Sequence, residues 1–222
     1  MKKSVAIIGL SRFGLNLVES FSKLNVNLIA IDKDRESVRK ASELTHNVFT
    51  CDSTNEEALK ECGIANVDHV ILAIGQNDNS NLSSSIMTII KLKGLGIKNI
   101  TARADDEDYI EVLKLVGATD VVTPLKIASD RLSNKIAAGN LVDYFNIKND
   151  YDVFEVKISS GFEPIALMEL DTRQKYRINI LLVEREGKTI IPSKDLILQA
   201  GDDIFIFGEK KNIRKILSVF TI

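Results

Sequence analysis

Four apolar residues, Val5-Ala6-Ile7-Ile8, run into Gly9, and a second glycine, Gly14, opens an amphipathic run from Leu15 to Leu24. A buried strand, a tight polar turn and a helix are the simplest reading of that order. The spacing Gly9-x-Ser11-x-x-Gly14 is the dinucleotide-binding G-x-G-x-x-G with its middle glycine replaced. Gly9 permits the turn, and Gly14 lets the helix lie close to the strand. The unpaired N–H groups at the helix start then face an anion, where the helix dipole favours phosphate. Such a unit needs an acid at the end of the next strand to hold ribose hydroxyls, and Asp32 stands there, after Val26-Asn27-Leu28-Ile29-Ala30-Ile31. The same glycines also serve a half-domain that uses them only for packing.

Downstream, strand and helix signals alternate. A charged helix runs from Asp34, its N-cap, to Leu44, and His46–Cys51 reads as a third strand. Asp52-Ser53-Thr54 forms a polar turn before a short helix, Glu56–Cys62, that ends at Gly63. Val67–Ile74 is a fourth strand stopped by Gly75, and Asn77–Asn81 caps a helix, Leu82–Lys93. Asn99–Arg103 and Asp120–Thr123 complete six strands, and Pro124 suits the first turn of a helix through Ala138. The alternation predicts an α/β fold, a Rossmann-type doubly wound parallel sheet covered on both faces, over residues 1–138. The pattern then changes. Leu141–Ile147 reads as amphipathic structure, an inter-domain or inter-subunit helix, within a connecting segment 139–150. Residues 151–222 read as a small α+β domain: a strand at Tyr151–Ile158, a helical stretch at Ile165–Leu170, and a hairpin of Tyr176–Glu186 with Lys188–Ile191 around Gly187. The strand Ile204–Gly208 and a last helix from Lys210 close the chain.

In a doubly wound sheet, ligands sit at the C-terminal ends of the strands. The candidate nucleotide set is therefore Gly9, Leu10, Ser11, Arg12, Phe13, Gly14, Asp32, Lys33, Asp52, Ser53, Ile74, Gly75, Asn77 and Arg103. Arg12 lies inside the turn, where a guanidinium suits phosphate oxygens. Asp52 and Ser53 fit a bond to base or ribose equally as well as a helix cap. Arg103 fits a phosphate, or more simply an ion pair with the acids at Asp105–Asp108.

The composition removes other function classes. A net charge of -2 with dispersed lysines gives no case for nucleic acid. No apolar run approaches the roughly 20 residues of a membrane span. The two cysteines, Cys51 and Cys62, lack metal-ligand spacing and read as free thiols in a reducing cytoplasm. With Met1-Lys2-Lys3 leading straight into the first strand, a cytoplasmic protein is expected. His46 and His69 fall in or beside strands, as structural histidines do. Tyr144 and Lys148 fit Y-x-x-x-K, the tyrosine–lysine pair of short-chain dehydrogenases, but Lys148 falls in a polar link. No catalytic set and no metal site emerge. A nucleotide site without catalytic groups suggests a sensor, with an NAD(P)-dependent oxidoreductase as the alternative.

The stretch Val5–Gly14, Asp52-Ser53-Thr54, Val70–Gly75 and the two-domain order resemble the regulator-of-potassium-conductance (RCK, or KTN) family, the cytosolic subunits of bacterial Ktr and Trk potassium uptake systems. Arg12-Phe13-Gly14 is most similar to the Ktr branch. The resemblance implies ATP or ADP in the first domain, with Arg12 reaching the γ-phosphate, whereas the Trk branch tends toward NAD(H). It also implies homodimers assembled into a ring, an octamer, docked on an integral-membrane potassium channel subunit at the inner face of the cell membrane. ATP would favour the conductive form and ADP the closed one. The segment Leu167–Leu181 resembles the part of Ktr C-terminal domains that binds cyclic di-AMP as an inhibitor in a dimer cleft. By that likeness Asp171, Arg173 and Asn179 would frame the dinucleotide, with Leu167, Ile180, Leu181 and Pro192 as apolar contacts; a local Asp171–Arg173 salt bridge is the plainer alternative. Two residues depart from the family pattern. Ser11 replaces the middle glycine, and Leu125 stands where Ktr proteins carry a cation-holding glutamate, so Leu125 cannot be a ligand.

Overall fold

Along β1, Ser4–Ile8, successive side chains enter two different cores. Val5 and Ile7 join one buried cluster with Leu10, Val18 and Ala41, and Ala6 and Ile8 join another with Leu59, Ile89 and Leu113. A strand alternates its side chains with period two. A strand apolar at every position is therefore stable only with both faces covered. The computed structural model describes residues 2–75, 79–137, 141–148 and 150–220, and these divide into two units, Met1–Ile127 and Ala128–Ile222.

The first unit continues with α1 (Arg12–Ser22), β2 (Asn27–Asp32), α2 (Arg35–Ser42), β3 (Val48–Thr50), α3 (Glu56–Glu61), β4 (His69–Leu72), α4 (Asn79–Gly94), β5 (Ile100–Arg103), α5 (Asp108–Leu115) and β6 (Asp120–Val122). The six strands lie in the order β3-β2-β1-β4-β5-β6, all pairs parallel. This is the doubly wound order that the alternation predicted, and it reverses between β1 and β4. Element ends shift by one to three residues: α1 begins at Arg12 rather than Leu15, and α4 at Asn79 rather than Leu82. Asp34 is the N-cap of α2, its side chain accepting from the Ser37 N–H.

The second unit departs further from the sequence reading. The division falls inside α6 (Pro124–Ala137), ahead of the boundary expected at residue 138. Leu141–Lys148 is not a helix but a strand, β7, paired antiparallel with β8 (Tyr151–Lys157). Its aromatic and β-branched residues favour a pleated strand over a helix. The segment 139–150, expected as a connector, thus supplies an edge strand to the sheet β11-β10-β13-β8-β7. Tyr144 and Lys148 stand four strand residues apart, about 13 Å along a strand rather than one helical turn, which removes the dehydrogenase pairing.

The helical stretch expected at Ile165–Leu170 splits into β9 (Ile165–Ala166) and α7 (Leu167–Leu170). A further helix, α8 (Thr172–Tyr176), follows, and its last residue, Tyr176, is the one expected to open the hairpin strand. β10 therefore begins at Ile178 and runs to Arg185, with β11 at Lys188–Ile190. β12 (Ile197–Leu198) pairs with β9, while β13 (Asp203–Glu209) leads to α9 (Lys210–Phe220). Val156, Ile178, Ile204, Ile213 and Phe220 are among the fully buried side chains of this unit's own core.

Candidate functional site

Gly9 ends β1 with φ +95°, and a Cβ there would meet the Ile74 nitrogen at 2.9 Å. The backbone thus takes a left-handed conformation and touches the chain leaving β4, and both conditions call for glycine. Here the strand order reverses, and α1 starts above the reversal. Ser11 is the N-cap of α1, yet its hydroxyl makes no capping bond, and the first turn holds no acid. The N–H groups of that turn and the positive end of the dipole are directed at whatever lies over the strand ends.

A cavity of about 670 Å³ lies there, within the usual size range for small-molecule sites. Gly9, Ser11, Arg12, Phe13, Asp32, Lys33, Asp52, Ser53, Ile74, Gly75 and Arg103 all line it. Leu10 and Gly14 do not line it; both are buried behind the turn. Asn77 lies outside the described residues. Asn16, Cys51, Thr54, Asn81, Ser84 and Leu125 also line the cavity. Of these, the family resemblance singles out Thr54 and Leu125, and Asn16 stands one helical turn beyond Arg12 on α1.

The carboxylate of Asp32 is fixed from both sides. Oδ2 accepts from the Leu10 N–H and Oδ1 accepts from the Asp34 N–H at 2.8 Å. Asp32 therefore ties the end of β2 to the glycine turn. A carboxylate has about four acceptor positions, so two remain for a diol. Asp52 is engaged locally: Oδ1 accepts from the Thr54 N–H at 2.9 Å and from its hydroxyl at 2.8 Å. Those bonds hold its carboxyl below the ordinary value of 3.8. The Ser53 hydroxyl pairs with Thr88 at 2.8 Å in the interior. Both side chains thus have turn and packing roles while bordering the cavity. Arg103 does pair with an acid. Its Nε donates to Asp105 Oδ1 at 2.7 Å, and its guanidinium lies 5.4 Å from the centre of the Phe13 ring.

Burial, with the Cys62 thiol beside it, pushes Cys51 up to about 12, so the sulfur stays a thiol at neutral pH and is no nucleophile. His69 begins β4, at the end of the strand away from Gly9, with Nε2 2.9 Å from Thr101 Oγ1. Among the described residues, no group of three His, Cys, Asp or Glu side chains is arranged to hold a metal, and no helix is long and apolar enough to cross a membrane.

The second unit has a smaller cavity of about 290 Å³, lined by Leu167, Met168, Asp171, Thr172, Arg173, Ile180, Pro192, Ser193 and Lys194. Asp171 sits between α7 and α8 with φ 46° and caps neither helix with its side chain. Among the described residues, neither the Asp171 carboxylate nor the Arg173 guanidinium has a hydrogen-bond or ion-pair partner, so the local salt bridge is not formed. Asn179 and Leu181 do not line this cavity. Asn179 precedes Ile180 on β10 and so faces the other way. Leu181 is the extra residue of a bulge between Ile180 and Leu182 and is half exposed.

A TrkA-N domain model matches residues 5–124, more than half of the chain, and a TrkA-C domain model matches 153–221. The chain belongs to the TrkA-N family. The protein is 32% identical over 216 residues to Ktr system potassium uptake protein C of Bacillus subtilis (strain 168), covering 97% of this chain and 96% of that protein. Ktr system potassium uptake protein A of the same organism is 29% identical over 215 residues, covering 96% and 95%. Among solved structures, a GsuK channel aligns with a TM-score of 0.69 at 16% identity, over all of this chain and 40% of that one. A GsuK channel bound to NAD aligns with a TM-score of 0.52 at 21% identity, over 99% of this chain and 38% of that one. At these identities the structures establish a shared fold, and this TrkA-N family member spans well under half of either channel chain.

Proposed function

We propose that this TrkA-N family protein is a non-enzymatic regulatory subunit of a Ktr-type potassium uptake system, gated by nucleotide. The observation that carries the reading is the cavity over the β1–β4 reversal. It combines a glycine turn, an uncapped helix start, a ribose-type acid fixed at Asp32 and two arginines, Arg12 and Arg103, with no catalytic pair among the described residues. In this reading ATP or ADP binds with its phosphates at the turn and its ribose at Asp32. Cyclic di-AMP binds at the Asp171–Arg173 cavity of a second-unit dimer and inhibits. The protein assembles from homodimers into a ring, an octamer, held at the inner membrane face by an integral-membrane potassium channel subunit. Gating energy comes only from the different contacts ATP and ADP make in two ring shapes. The two relatives named as Ktr potassium uptake proteins support this assignment.

A second reading is an NAD(H) sensor, favoured by Asp32 at the end of β2, the arrangement that holds a dinucleotide's adenosine ribose. Calorimetric titration of the full chain with ATP, ADP, NADH and cyclic di-AMP separates the two. Binding of ATP and ADP alongside cyclic di-AMP supports the Ktr-type gate. NADH binding without ATP or cyclic di-AMP moves the protein to the NAD(H) reading, and turnover of reduced nicotinamide would make it an enzyme.

A further inference from the structure

Arginine is a flexible side chain, and a ligand that must order it loses affinity in doing so. Arg103 is ordered already. It ends β5, Nε is held by Asp105 at 2.7 Å, and its guanidinium lies over the Phe13 ring. A Cβ on Gly75 would lie only 3.5–3.6 Å from the same guanidinium, so the chain leaving β4 bounds it as well. The two side chains of the pair are only 12% and 13% exposed. This is not a solvated surface ion pair of negligible strength.

We infer that Asp105 is a positioning residue of the first-unit cavity, holding Arg103 as a preset cation beside the phosphate turn. The inference rests on the nucleotide reading of that cavity. Phe13 belongs to the first turn of α1, whose N–H groups face the anion, so a guanidinium stacked on Phe13 stands at the phosphate end. Asp105 takes Nε, which fixes the orientation of the guanidinium over the Phe13 ring. The pair is close to neutral as a whole, so its action on phosphate is short-ranged and directional. A lysine would lack both the planar face for Phe13 and the Nε donor for Asp105.

The alternative is that Asp105 merely closes the β5–α5 loop. The two differ in a double-mutant cycle read by calorimetry of the full chain with ATP and with ADP. Asp105→Ala should weaken ATP roughly tenfold, the scale of one charge-assisted hydrogen bond. Arg103→Ala should weaken it at least as much, and the double variant no further than Arg103→Ala alone, the signature of a residue that acts on the ligand through Arg103. Asp105→Asn keeps an acceptor for Nε and should retain most of the affinity, which guards against a loss caused by misfolding. Unchanged ATP affinity in Asp105→Ala, or losses that multiply in the double variant, would overturn the inference. If the wild type binds neither ATP, ADP nor NADH, the nucleotide reading itself falls and takes the inference with it.

Discussion

A Cβ placed on Gly14 would lie 1.9 Å from the carbonyl oxygen of Gly9 and 2.9 Å from its carbonyl carbon. Helix α1 therefore rests directly on the turn that precedes it, and the obstruction is backbone that cannot swing aside. Gly14→Ala must push α1 away from the strand ends. The loss should be about 3 kcal/mol or more, at the high end for overpacking. Urea unfolding of the variant, followed by circular dichroism, should show the lower midpoint. Wild-type stability would mean that α1 does not sit where described.

In the second unit, Asp202 is fully buried and receives three bonds: Arg185 Nε at 2.7 Å, Arg185 Nη2 at 2.8 Å and the Gln199 N–H at 3.0 Å. Arg185→Met would leave a buried carboxylate with the Gln199 N–H as its remaining donor among these three. Breaking one side of such a pair costs far more than the pair contributes as a whole. A loss of about 2–4 kcal/mol is expected. Arg185→Met combined with Asp202→Leu should recover part of it. Thermal unfolding of the two variants makes the comparison, and a single variant as stable as the wild type would contradict it.

The first unit was largely legible in the sequence because its signals are local and agree with one another. Val5–Ile8 is apolar at every position, Gly9 and Gly14 bracket the turn, and Asp34 caps the helix that follows with its side chain. Those features also led to most of the cavity wall. Thr54, Asn81 and Ser84 were missed because polar residues at a helix start look the same whether they cap or line a cavity. The second unit was less legible. Leu141–Lys148 has apolar residues that fit either period, and only pairing with β8 decides for a strand. The bulge in β10 that leaves Leu181 as its extra residue is a tertiary feature with no residue signature there.

His69 gives the fold a dependence on pH. Burial lowers its pKa below the ordinary 6.5, with Lys3 acting in the same direction and Asp120 against it. The folded state thus favours the neutral ring, while the unfolded chain takes up a proton near 6.5. Stability from this group is present above that value, is lost as pH falls through it, and levels off once the folded-state ring also protonates. The thermal midpoint should fall between about pH 7.5 and about pH 5.5, and His69→Gln should flatten that slope. An equal slope in the variant would assign the dependence to another group.

The two cavities belong to different units, and their arginines should separate two ligands. Arg12 lines the first-unit cavity at the start of α1 and is exposed, where a guanidinium meets the outermost phosphate of a chain that begins at the turn. Arg12→Ala should then weaken ATP roughly tenfold and ADP much less, since ADP lacks the group being contacted. Arg173 borders the second cavity, and Arg173→Ala should weaken cyclic di-AMP by a similar factor while leaving ATP unchanged. Both substitutions are at exposed positions, so folding should survive them. Titration of each variant with all three ligands gives the answer. Equal loss of ATP and ADP in Arg12→Ala removes the γ-phosphate role, and unchanged cyclic di-AMP affinity in Arg173→Ala removes the second site from that position.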